Sequence, residues 1–164
     1  MPRNKMLVVL AAIMLVAPAA AQSPASVFPN YSKTPAELSA TRATGGVGGS
    51  GNAKVEVVTI LGDPSKPGMY SQLLKVAPHA RIAAHHHAGD RVGTVLQGTW
   101  TFGYGPSFAQ EALRILPVGS IYTEPSGAAH FAMTGDEAVT VLITGFGPTD
   151  TVYENPADDP ANKP

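Results

Sequence analysis

The chain has 164 residues, with 11 Lys+Arg against 12 Asp+Glu, no cysteine, 17 glycines and 15 prolines. A near-zero net charge without any Lys/Arg run argues against a nucleic-acid partner, and the missing cysteine rules out thiol nucleophiles, CxxC redox pairs, thiolate zinc sites and iron–sulfur clusters. A length suited to one domain, few charges and abundant Gly and Pro favour a turn-rich β protein over a helical bundle.

Residues 1–21 read as a secretory signal peptide. Arg3 and Lys5 precede an unbroken apolar run from Met6 to Ala17, and Ala19-Ala20-Ala21 supplies a small-residue cleavage site. The run is shorter than the ~20 residues that a membrane anchor needs. Cleavage after Ala21 would leave a soluble, periplasmic chain of net charge about −3, with no membrane contact. Residues 22–53 form an N-terminal arm and Gly-rich linker. Within them, Thr34-Pro35-Ala36-Glu37 is a capping box with proline in the first helical position, which predicts one short helix near 35–41. Thr44 to Asn52 (TGGVGGSGN) has a linker's composition; no Gly-Lys-Ser/Thr follows it, so it is not a phosphate cradle.

From Lys54 the pattern changes to short β-type runs: 55–61, 69–77, 81–87, 92–97, 99–104, 112–116, 120–123, 130–133 and 139–146. Turn signals such as Gly62-Asp63-Pro64, Ala88-Gly89-Asp90 and Pro125-Ser126-Gly127 separate them. Nine strands with almost no helix between them predict an all-β, single-domain antiparallel sandwich or barrel over residues 54–154. Residues 155–164 (NPADDPANKP) form a polar C-terminal tail.

Four of the five histidines lie between positions 79 and 87. His85 and His87 are two apart on a strand, so their imidazoles share a face while His86 points the other way. His130 opens a later strand that pairing can bring beside them. Three neutral imidazoles suit one divalent first-row transition metal: Fe, Mn, Zn, Ni or Cu. The bland alternative is a solvated, histidine-rich turn.

His85-x-His87 with Gly98 eleven residues on resembles the first motif of the cupin superfamily. Gly119-(x)5-Pro125-x-Gly127-(x)2-His130 resembles the second. The chain is similar to small, single-domain, exported cupins of the ChrR-like group. That resemblance implies a jelly-roll β-barrel with a metal inside and a homodimer. Three positions depart from the motifs: His79 stands in place of the opening Gly, Thr134 in place of the closing Asn, and Arg91 in place of the metal-binding Glu. Arginine is permanently cationic and cannot ligate a metal. Three arrangements follow. The three histidines act alone with open positions, or Glu124 completes the set, or the metal is gone and Arg91 binds an anion. Arg91 has two readings of its own, a fork that orients a carboxylate or enolate and a salt bridge to Glu124. Trp100, Phe102 and Tyr104 share one strand face, as core, interface or cavity wall. Tyr122 is a candidate acid beside the site. The resulting expectation is a dioxygenase-type enzyme on a small oxygenated organic substrate. The alternative is a non-catalytic cupin that binds a metal or a small anion.

Overall fold

A computed structural model describes residues 28–43 and 49–162. The predicted signal peptide and most of the Gly-rich stretch therefore lie outside the described residues. The helix α1 spans Pro35–Ala40. Both reciprocal bonds of its capping box form: Glu37 N–H donates to the Thr34 hydroxyl, and the Glu37 carboxylate accepts from Thr34 N–H. Among the described residues no helix is long and apolar enough to span a bilayer.

Ten strands follow: β1 (Val55–Leu61), β2 (Gly68–Val76), β3 (Arg81–His86), β4 (Arg91–Gln97), β5 (Trp100–Tyr104), β6 (Arg114–Leu116), β7 (Ile121–Glu124), β8 (His130–Thr134), β9 (Val139–Gly147) and β10 (Val152–Tyr153). Nine coincide with the predicted runs. They form two five-stranded antiparallel sheets, β1-β2-β9-β4-β7 and β10-β3-β8-β5-β6. From β2 onward the chain crosses repeatedly between the sheets, so hydrogen-bonded neighbours are mostly distant in sequence, as in a jelly roll.

Period-two patterning drives the packing. In β9, Val139, Val141 and Ile143 are buried, while Thr140, Leu142 and Thr144 lie on the outer face. Tyr70, Leu74 and Val76 of β2, Val95 of β4, Trp100 and Phe102 of β5, and Ile82 of β3 complete the core between the sheets. At about 25 cal/mol per Å² of buried apolar surface, this layer supplies most of the drive to fold in a chain without disulfides.

The motif departures have local reasons. His79 sits at φ 53°, in the left-handed region that explains glycine at this point of the motif. Thr134 replaces an amide with a hydroxyl, which donates to Ala77 O and accepts from Ala80 N–H, both at 2.8 Å. His79 thus lies in the turn between β2 and β3, and Thr134, at the end of β8, bonds that same turn.

Candidate metal centre

Strand pairing assembles the site. His85 and His130 stand directly opposite each other on β3 and β8, so they share a face. A register shift between Ile82 and His85 inserts one extra residue into β3. That bulge lets Ile82 and His85, three residues apart, both face the interior. His87 lies one residue past β3 and also points inward, fully buried, while His86 faces outward onto Glu154 at 2.6 Å. From the other sheet, Arg91 and Glu124 are paired in register on β4 and β7. Gly127 (φ 70°) turns the chain back so that its N–H donates to His87 O at 2.9 Å, which clasps the two motif loops together. Asp90 reinforces that clasp by accepting from Ser126 N–H at 2.8 Å.

The three imidazoles are oriented by main-chain carbonyls. His85 Nδ1 lies 2.8 Å from Ala83 O, His130 Nδ1 3.0 Å from Ala128 O, and His87 Nδ1 against Asp150 O. A carbonyl oxygen can only accept, so the hydrogen lies on Nδ1 and each neutral ring turns an Nε2 lone pair inward. One ring nitrogen from each histidine lies within 4.8 Å of the others. Burial holds His85 down at about 4, His87 at about 3, and His130 below its ordinary value, so all three are neutral around pH 7.

Glu124 Oε2 stands 3.6 Å from His87 Nε2 and 3.7 Å from His130 Nε2. Burial raises the Glu124 carboxyl, but the Arg91 guanidinium, its hydrogen bond and the facing His130 and His87 together outweigh burial and hold the group at about 2. Arg91 Nε donates to the same oxygen at 2.6 Å, and both side chains are buried. A carboxylate oxygen therefore faces two imidazole lone pairs with no proton between them, and both Nε2 atoms are buried without a hydrogen-bond partner. Such an arrangement is repulsive until a cation lies within it. Donor atoms that share one tetrahedral ion stand about 3.4 Å apart. The residues thus fit a divalent metal: three histidines with a carboxylate oxygen alongside.

The wall around the centre is aromatic. Phe102 stacks on His130 with ring centroids 5.4 Å apart, and Tyr122 lies 4.3 Å from Phe102. Trp100 lines the same space, whereas Tyr104, at the strand's end, is half exposed and donates to Thr123 O at 2.7 Å. Burial, with Glu124 adding to it, pushes the Tyr122 phenol well above its usual range. Tyr122 OH and Trp100 Nε1 are buried close to each other and to Glu124, without a well-formed hydrogen bond. The Tyr122 ring occupies the place a side chain at residue 93 would take: a Cβ on Gly93 would fall 2.2 Å from Tyr122 Cζ. Gly93→Ala is therefore expected to destabilise the fold by about 1–3 kcal/mol in urea titrations. An unchanged midpoint would mean that this ring moves aside freely.

Sequence reading missed the supports supplied after β9. Asp150 O fixes His87, Asp150 Oδ1 accepts from Ala88 N–H at 2.7 Å, and Tyr153 packs beside His85 with ring centroids 5.5 Å apart. A two-residue strand and a main-chain carbonyl carry no sequence pattern that would have marked them.

No protein-family model matches the sequence, and no curated protein does. Solved structures share the fold. The polyketide cyclase RemF from Streptomyces resistomycificus superposes with a TM-score of 0.57 at 18% identity, over 67% of this chain and 78% of its own. A double-stranded β-helix protein from Klebsiella pneumoniae gives 0.52 at 18% identity, over 70% and 93%. The DMSP lyase DddQ from Ruegeria pomeroyi gives 0.50 at 17% identity, over 58% of this chain and only 48% of its own length. The fold is therefore a double-stranded β-helix, here enclosing a buried three-histidine cluster able to hold a metal.

Proposed function

We propose that the chain is an exported, periplasmic, mononuclear metal-dependent cupin that oxidises a small oxygenated organic substrate in a dioxygenase-type reaction. His85, His87 and His130 would hold one divalent first-row ion, with Glu124 as the fourth ligand and Arg91 balancing its charge. The observation that carries this reading is the convergence of Nε2 lone pairs on a carboxylate oxygen, an arrangement that a bound cation satisfies. Bound there, Fe, Mn, Ni or Cu would supply the redox chemistry that a reaction with O2 requires.

The chain's own residues suggest how substrate is held. The charge of Arg91 is opposed by Glu124 at 2.6 Å, so the wall is matched to an uncharged molecule. Trp100, Phe102 and Tyr122 favour a flat ring. The buried Trp100 N–H and Tyr122 hydroxyl, which make no well-formed hydrogen bond, would take an oxygen of that ring, and the neutral phenol can donate a proton there. Outside the barrel, Val92, Leu96, Ile121 and Phe146 are exposed on the outer face of one sheet, a surface suited to a homodimer.

A second reading, a non-catalytic metal-binding cupin, is favoured by the size of the central space. At about 20 Å³ it holds one water or one ion and no organic molecule. Oxygen-electrode measurements on metal-loaded protein decide between the two. Phenols, flavonoids and diketones are expected to give metal-dependent O2 uptake that is lost in His130→Ala. A fully loaded protein that consumes no O2 with any of them would leave the binding role.

A further inference from the structure

The central space is walled by residues from β1, β2, β3, β4, β5, β7 and β8, with a single exception: Ser50. Ser50 belongs to the described end of the Gly-rich stretch, and it does not hang free. It is 8% exposed, and its carbonyl accepts a hydrogen bond from the Tyr153 hydroxyl. The preceding carbonyl, Gly49 O, lies 3.1 Å from Thr151 Oγ1, whose single O–H it shares with Asp150 O at 2.9 Å. Glycine is required at both neighbours. A Cβ on Gly49 would fall 2.4 Å from Val57 Cγ2, and Gly51 adopts φ 69° against Pro160. At the far end, Asn52 forms the pivot: its side-chain amide donates to Arg81 O and its carbonyl oxygen accepts from Lys54 N–H, both at 2.9 Å.

We propose that residues 49–52 are a lid over the metal centre, latched by the hydroxyls of Tyr153 and Thr151, which controls what reaches the centre. This rests on reading the three-histidine cluster as a metal site, and it accounts for a central space too small for a substrate. Every other wall residue is fixed in a strand ladder, so this segment is where the wall can open without unpairing a sheet. The Tyr153 hydroxyl, Thr151 Oγ1 and a few apolar contacts hold residues 49–51, and Asn52 anchors their far end to Arg81 O. The residues that become accessible are the aromatic wall and the inward faces of His85 and His130, which suits a flat, uncharged, oxygenated ring. The latch also adjoins the ligands: Thr151 Oγ1 lies 3.4 Å from His87 Nδ1.

That adjacency requires a test that separates a gate from a ligand support. A gate changes metal entry and exit together and leaves Kd as it was, whereas a weakened ligand raises the exit rate and Kd together. Stopped-flow uptake of zinc by metal-free protein and its removal by excess chelator are therefore measured in wild type, Tyr153→Phe and Thr151→Val. Tyr104→Phe, which removes a hydroxyl bonded to Thr123 O on β7 and not to residues 49–52, serves as control. Loss of one latch hydrogen bond is expected to speed both rates about ten-fold with Kd and stoichiometry unchanged. Unchanged rates, or a faster exit with an equally weakened Kd, overturn the lid. Limited proteolysis within residues 49–52 gives a readout independent of metal: resistance is expected in wild type and faster cleavage in Tyr153→Phe. A wild-type segment cut as fast as an unfolded chain also overturns the lid. A wild-type protein that takes up no zinc but resists cleavage at residues 49–52 would refute the metal reading while leaving the lid in place.

Discussion

Untagged protein is expected to carry one first-row divalent metal per chain by elemental analysis, and His130→Ala to retain less than about a tenth of it. The size of that loss follows from how the site is built. His130 stands opposite His85 across the β3–β8 ladder, and its Nε2 is buried with no partner. Removing it leaves two imidazoles and a carboxylate, too few to hold an ion against water. Two controls sharpen the result. His86→Ala and His79→Ala are expected to keep full occupancy, because His86 is held outward by Glu154 and His79 lies exposed near Asp136. Metal that survived His130→Ala but left with His86→Ala would mean capture by the run of three adjacent histidines, and the buried centre would be refuted. A tag rich in histidine would obscure the comparison and must be absent.

Much of this architecture is legible in the residues alone, and the parts that are not share a cause. Strands with clean alternation, such as Val139-Thr140-Val141-Leu142-Ile143, declare themselves, and so does the capping box at Thr34. The pairing of His85 with His130 depends on which strands are neighbours, which spacing suggests only once the two motifs are set side by side. The extra residue in β3 is invisible beforehand: Ala83 and Ala84 carry no signal that parity will shift between Ile82 and His85. Tyr104 continues the alternation of Trp100 and Phe102, yet it is half exposed because the strand runs out at the rim. The Gly-rich stretch shows the deepest ambiguity. Composition reads glycine as freedom, whereas at Gly49 its use is close approach, with no room for a Cβ beside Val57. Both readings arise from the same missing side chain, and only the neighbours distinguish them.

Glu124→Gln is expected to cost the metal-free protein about 3–5 kcal/mol in urea titrations. Arg91 is 4% exposed and permanently charged, and the variant removes the carboxylate that opposes that charge in the barrel interior. Adding Arg91→Met removes the stranded charge, so the double variant is expected to recover most of the loss. Each single change measures an orphaned partner, and only the cycle isolates the pair. The same variants separate the two roles of the carboxylate. If Glu124 Oε2, 3.6 and 3.7 Å from two ring nitrogens, is the fourth ligand, metal affinity falls about 10–100-fold in Glu124→Gln and stays low in the stabilised double variant. A double variant that binds metal as tightly as wild type would reduce Glu124 to the counter-ion of Arg91. The expected outcome is the split result, stability regained and affinity not. One oxygen has lone pairs enough to accept from Arg91 and face an ion, and an amide oxygen in its place is neutral.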